Sequence, residues 1–164
     1  MNILLIGSGA REHAIARVIK KSRHNPNLFC IGSSNNPGIK KLSLDYKVSD
    51  INDSEYIINY AVVNKINFVV IGPEAPLEAG VVDALEKNNI ACIGPKKDLA
   101  QLETSKGFTR DLMIEYSIEG CPKYKKFNSL NGVKEFLLKL GEFFVVKADG
   151  LMGGKGVKVA GEHL

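Results

Sequence analysis

Ile3-Leu4-Leu5-Ile6-Gly7-Ser8-Gly9-Ala10-Arg11-Glu12-His13 is an uninterrupted aliphatic run that breaks into a glycine turn and then into charged residues. Four aliphatic side chains without polar alternation predict a strand covered on both faces, which is the habit of parallel sheets. The turn opens a helix whose apolar face is read at Ala14, Ile15, Val18 and Ile19. Working outward, strand-like runs at Leu28 to Ile31, Phe68 to Ile71 and Ala91 to Ile93 alternate with helix-period segments. Those segments are marked by Ile57, Ile58, Ala61 and Val62, and by Leu77, Val81, Val82 and Leu85. The predicted fold class is α/β, a parallel sheet with crossover helices. Asp53 is placed to cap the middle helix, and Pro76 suits the first turn of the next.

After Gly94-Pro95 the pattern changes, and a domain junction is placed near residue 101, giving domains 1–101 and 102–164. The second begins with a helical stretch around Asp98 to Tyr116, with Phe108, Leu112 and Met113 as its inner stripe. A strand at Lys123 to Phe127 and a helix at Leu130 to Leu140 are predicted next, the helix turning Val133, Phe136, Leu137 and Leu140 inward. Two or three strands with one or two helices make a thin layer, so this unit reads as incomplete.

Composition excludes several classes. Hydrophobic content of 45% with 24% charged residues is globular, and no apolar run approaches the ~20 residues of a bilayer crossing. The N-terminus lacks a secretory pattern, so a cytoplasmic protein without membrane partners is expected. Cys30, Cys92 and Cys121 are far apart and odd in number, which favours core thiols over disulfides or zinc. A net charge of +4 from scattered lysines does not call for nucleic acid, and Lys123, Lys125 and Lys126 read as an exposed strand.

Three segments carry candidate chemistry. Gly9 and its neighbours at a helix start form an anion seat, where Arg11 can fork onto phosphate and Glu12 and His13 can hold hydroxyls or an amine. A dinucleotide is disfavoured, because Glu12 occupies the third glycine position and Gly32-Ser33-Ser34 replaces a ribose-binding acid. Gly72-Pro73-Glu74-Ala75-Pro76-Leu77 also follows an apolar strand; either Glu74 faces the same crevice as Arg11, or the segment is a turn with an acidic helix start. The polar loop Ser33 to Gly38, with Asn36, Pro37 and Gly38, reads on its own residues as a connection.

The third segment is Asp149-Gly150-Leu151-Met152-Gly153-Gly154-Lys155-Gly156, between the β-branched runs Phe143 to Lys147 and Val157 to Ala160. Gly150, Gly153, Gly154 and Gly156 let amides converge on a phosphate, with Lys147 and Lys155 bracketing them. An ordinary surface hairpin is the alternative. Gly156 and Val157 after Lys155 argue against a P-loop. Lys106, starting a helix, is a further candidate for phosphate charge.

Gly7-Ser8-Gly9-Ala10-Arg11-Glu12-His13-Ala14, Asn36-Pro37-Gly38, Gly72 to Leu77, Gln101-Leu102-Glu103-Thr104-Ser105-Lys106 and Val146-Lys147-Ala148-Asp149-Gly150 together resemble the phosphoribosylamine-glycine ligase family, also called glycinamide ribonucleotide synthetases. The resemblance extends over essentially the whole chain. It implies a Rossmann-like pre-ATP-grasp domain followed by the opening of an ATP-grasp domain, the N-terminal portion of a longer enzyme. The implied reaction joins glycine to 5-phosphoribosylamine at the expense of ATP in purine biosynthesis, with Mg2+ ligands beyond residue 164. Carried over by motif, Gly9, Arg11, Glu12, His13, Asn36, Pro37, Gly38 and Glu74 are implied to seat the sugar amine. Lys106, Lys147, Gly150, Gly153, Gly154, Lys155 and Gly156 are implied to contact ATP. The loop carries Met152 and Gly153 where relatives usually have two alanines. A non-catalytic nucleotide-binding module is the alternative function.

Overall fold

The computed structural model describes residues 1–163. It divides into two compact units, Met1–Ala100 and the residues from Gln101 onward. In the first, β1 (Asn2–Ile6), β2 (Asn27–Gly32), β3 (Asp45–Val48), β4 (Phe68–Ile71) and β5 (Ala91–Ile93) form a sheet in the order β3-β2-β1-β4-β5. Every pairing is parallel.

β1 lies at the centre and is buried on both faces. Leu4 and Ile6 point into a core shared with Ile57, Tyr60 and Ala61 of α3 (Ser54–Val63) and Val81, Val82 and Leu85 of α5 (Val81–Lys87). Ile3 and Leu5 point the other way, toward Ala16 of α1 (Ala10–Lys20) and Ile39 of α2 (Pro37–Leu42). Full burial of such aliphatic side chains stabilises the sheet by about 1.5–3 kcal/mol each, which accounts for the unbroken apolar run.

Several expectations need correction. On α1, Ile15 and Ile19 pack against the core as expected, but Val18 is 69% exposed and Ala14 is also exposed, whereas Glu12 and Ala16 face inward. On α3, Asp53 caps the helix through its side chain to the Tyr56 amide at 3.0 Å, but Val62 is exposed because Ile57, Tyr60 and Ala61 already fill the inner stripe. The predicted helix through Leu77 to Leu85 is two, α4 (Glu74–Ala79) and α5, parted at Gly80, whose φ of 85° ends one helix in the left-handed region glycine tolerates. β3 and α2 were not predicted at all.

The second unit contains α7 (Lys106–Glu115), α8 (Val133–Leu140) and an antiparallel hairpin of β6 (Val145–Lys147) and β7 (Val157–Val159). The predicted continuous helix from Asp98 to Tyr116 breaks at Ser105, between α6 (Lys97–Thr104) and α7, where φ −120° and ψ 111° leave the helical region. Ser105 Oγ accepts from the Phe108 amide at 3.1 Å and caps α7. Lys123 to Phe127 forms no strand. Its side chains are held instead by Asp111, which accepts from Tyr124 Oη and Lys126 Nζ, and by the edge-on contact of Phe127 with Phe136 of α8. No helix is long and apolar enough to cross a membrane among the described residues.

Candidate functional site

The strand order reverses between β1 and β4: the chain leaves β1 toward β2 and β3 on one side, and β4 leads to β5 on the other. Ligands of open α/β sheets bind beyond the strand C-termini at such a switch point. The loops that leave these two strands are Gly7 to Gly9 and Gly72 to Pro73, and a side-chain bridge crosses between the helices they start. Arg11, in the first turn of α1, places a guanidinium nitrogen 2.8 Å from Glu74 Oε1 in the first turn of α4. Its Nε donates to Glu12 Oε1 at 3.3 Å. The hydrogen bond to Glu74, against partial desolvation, raises the Arg11 pKa and lowers that of Glu74, so both stay charged. Arg11 remains 56% exposed, which leaves donors for an incoming anion.

Glu12 does something other than the sequence suggested. It is buried, its Oε2 accepts from the Gly9 amide at 2.6 Å, and its stem fills the space under both glycine turns. A Cβ on Gly72 would lie 2.3 Å from Glu12 Cγ, so glycine there is dictated by close approach. The carboxylate thus supplies the glutamate half of a capping box for α1, Gly9 having no side chain to return the bond, and braces Arg11. The Gly9 amide, expected to face a ligand, is already engaged by it.

His13 packs on α2: a Cβ at Gly38 would stand 2.4 Å from His13 Cε1. Asn36 Oδ1 accepts from the Gly38 and Ile39 amides at 3.0 and 3.1 Å, and its Nδ2 donates to the Ser8 carbonyl at 2.9 Å. With Pro37 at the first helical position, the segment read as a mere connection is a capped helix tied to the first turn. The structure therefore gathers Gly9, Arg11, Glu12, His13, Asn36, Pro37, Gly38 and Glu74 around the C-terminal ends of β1, β2 and β4.

Sequence reasoning missed Tyr46 of β3. Its hydroxyl donates to the Ser34 carbonyl at 2.6 Å and accepts from the Asn36 amide at 3.2 Å, fixing the loop after β2. Burial raises its pKa, so it acts as a neutral hydroxyl. Ser8 Oγ lies 3.3 Å from Ser33 Oγ and 3.1 Å from Ser34 Oγ in the same neighbourhood. The alternation Asp45-Tyr46-Lys47-Val48 was the only available signal for that strand.

In the second unit the glycine loop joins β6 to β7. Gly150, Gly153 and Gly154 have φ of 91°, 53° and 78°, values that L side chains resist. Lys147 pairs with Val157 at the loop's base, and the Ala148 amide donates to the Gly156 carbonyl at 2.8 Å. Met152 folds over Gly156, where an added Cβ would meet Met152 Cγ at 2.7 Å. Lys147 and Lys155 are exposed, and neither enters an ion pair among the described residues. Lys106 differs: its Nζ donates to the Gly150 carbonyl at 2.8 Å.

A central parallel sheet with its candidate site at the switch point, and a glycine hairpin in the second unit, define an α/β protein. The fold of an N5-carboxyaminoimidazole ribonucleotide synthetase from Thermotoga maritima matches 97% of this chain and 40% of that one, with a TM-score of 0.70 at 17% identity. Phosphoribosylglycinamide synthetase from Anaerococcus prevotii matches 97% of this chain and 38% of its own, with a TM-score of 0.64 at 13% identity. The family model "Phosphoribosylglycinamide synthetase, N domain" matches residues 1–103, and the ATP-grasp (A) domain model of the same family matches residues 104–163. The chain belongs to the phosphoribosylglycinamide synthetase family. The phosphoribosylamine-glycine ligase of Methanosarcina barkeri is 48% identical over all 164 residues. The chain spans 38% of that relative's length.

Proposed function

We propose that this chain is the N-terminal portion of a cytoplasmic phosphoribosylamine-glycine ligase, which joins glycine to 5-phosphoribosylamine and releases ADP and phosphate in purine biosynthesis. Residues 1–101 are the substrate-binding domain and residues 102–164 the opening of the ATP-grasp domain. The observation that carries the reading is the Arg11–Glu74 bridge across the β1/β4 switch point, in a chain of this family.

A carboxylate is a poor electrophile until a phosphoryl group converts one oxygen into a leaving group. ATP phosphorylates the glycine carboxylate, the sugar amine attacks the acyl phosphate, and inorganic phosphate departs. Arg11 is assigned to the anionic sugar phosphate through charge-assisted bonds, and Glu74 to the hydroxyl or amine beside it. His13 and Asn36 shape that pocket with Gly9, Pro37 and Gly38, and Glu12 sets the direction of Arg11.

The glycine loop fits polyphosphate. Its positive-φ backbone leaves Gly150, Gly153 and Gly154 without neighbours where a Cβ would stand, and Lys147 and Lys155 supply charge. Magnesium, when bound with the nucleotide, supplies charge neutralisation at the transferring phosphoryl. Its protein ligands are assigned to the length of the enzyme that this chain does not span. The reactants are small molecules, and neither nucleic acid nor membrane enters the scheme.

Calorimetric titration with ribose 5-phosphate, which keeps the phosphate and ring but lacks the amine, tests the assignment. Arg11→Ala should weaken binding by about 1.5–3 kcal/mol and leave MgATP binding unchanged. Loss confined to MgATP would refute the placement of Arg11.

A further inference from the structure

We infer that Asp149 is a positioning residue for the glycine loop: its carboxylate clamps the loop's entry to the first turn of α7 and fixes where Lys106 and Gly150 stand. The functional meaning of the clamp rests on the nucleotide reading above.

Asp149 Oδ1 accepts from the backbone amides of Lys106 at 2.7 Å, Gly107 at 3.3 Å and Gly150 at 3.0 Å, while Oδ2 accepts from Ser105 Oγ at 3.1 Å. Lys106 Nζ completes the clasp by donating to the Gly150 carbonyl. Two segments more than forty residues apart in sequence are thus joined in both directions. The requirement for Gly107 follows, since a Cβ there would lie 2.8 Å from Asp149 Oδ2 and 2.6 Å from Lys126 Cδ.

Capping alone does not account for this arrangement, because Ser105 already caps α7 through the Phe108 amide. Asp149 instead fills the positive end of α7 with a carboxylate from the loop itself. Two consequences follow. An incoming phosphate cannot use the first amides of α7, so it must take those of the loop and the exposed ammonium groups of Lys147 and Lys155. The loop entry is held, whereas Gly153 and Gly154 stand open to solvent and retain freedom to close.

The test is amide hydrogen exchange by NMR on the 164-residue chain without nucleotide, comparing wild type with Asp149→Ala and Asp149→Asn. The alanine variant should expose Lys106, Gly107 and Gly150 to exchange about tenfold faster or more, with the last turn of α7 and the β6–β7 pairs within about twofold. Asparagine keeps an acceptor oxygen and should restore part of that protection. Unchanged exchange at the three amides, or acceleration spread evenly over α7 and the hairpin, would overturn the clamp. MgATP titrations of the same substitutions in the full-length enzyme separate the two readings. A wild-type enzyme whose MgATP binding is unaffected by Lys147→Ala and Lys155→Ala refutes the nucleotide assignment of the loop, while the exchange data still judge the clamp. Wild-type binding matched within twofold by the alanine variant would remove Asp149 from any positioning role in that site.

Discussion

Replacing Glu12 should damage the first unit more than any exposed carboxylate could. Its side chain is 5% exposed, its Oε2 receives the Gly9 amide at 2.6 Å, and its Oε1 receives Arg11 Nε at 3.3 Å. Glutamine preserves the shape and one acceptor oxygen, but it removes the charge from the Gly9 bond and turns an amide group toward either Gly9 or Arg11. A hydrogen bond to a charged group contributes about 1.5–3 kcal/mol and a neutral one about 0.5–1.5, so Glu12→Gln should cost about 1–2 kcal/mol. The Arg11 contact adds little, because that guanidinium is half exposed and solvent screens it. Alanine strands the Gly9 amide, at about 1–3 kcal/mol, and deletes a buried methylene worth about 0.8, so about 2–4 kcal/mol is expected. Native-state exchange of the Leu4 and Leu5 amides, at the centre of the sheet, reads these losses through opening of the first unit. Both variants within about 0.5 kcal/mol of wild type would refute the account of Glu12 as a brace.

Other consequences are as direct. Gly38→Ala drives a methyl into the His13 ring and should cost about 1–3 kcal/mol, with displaced His13 resonances in NMR spectra. Tyr46→Phe removes the bonds to Ser34 and Asn36; faster exchange of the Asn36 amide is expected, with a stability loss of about 0.5–1.5 kcal/mol by urea unfolding. The Arg11–Glu74 bridge gives a pH signature. Glu74 has a folded pKa below its ordinary value, so its contribution is complete above about pH 4.3 and disappears as pH falls through the lowered value. The stability difference between wild type and Glu74→Gln should therefore be constant near neutrality and shrink only in acid; a difference that grows on acidification would contradict the pairing.

The sheet's centre was legible because burial on both faces writes itself as an unbroken aliphatic run, as in Ile3 to Ile6 and Phe68 to Ile71. β3 was hidden for the opposite reason. It is an edge strand whose Lys47 and Val48 face solvent, and Asp45-Tyr46-Lys47-Val48 resembles many loops. The inner face of α1 was read correctly at Ile15 and Ile19 but misplaced at Ala14 and Val18, because a charged residue, Glu12, occupies an inward position that hydrophobic periodicity assigns to an apolar one. Breaks at Gly80 and Ser105 were carried by a left-handed glycine and a serine cap, signals weaker than the continuous apolar pattern around them. At the site, Arg11 and Glu74 could be placed from the loops that follow β1 and β4. The engagement of Glu12, Asp149 and Lys106 with backbone groups could not, since it depends on contacts set by tertiary packing.

β1 is translated before all four of its companions, yet it occupies the middle of the sheet. Its second edge is covered only when β4, about 65 residues later, has emerged. At ~5–20 residues per second this leaves an aliphatic strand with at least one edge bare for roughly 3–13 s on the ribosome. During that interval Ile3 to Ile6 is the segment a holding chaperone should cover, and slowing synthesis between Leu28 and Phe68 should raise the yield of aggregate.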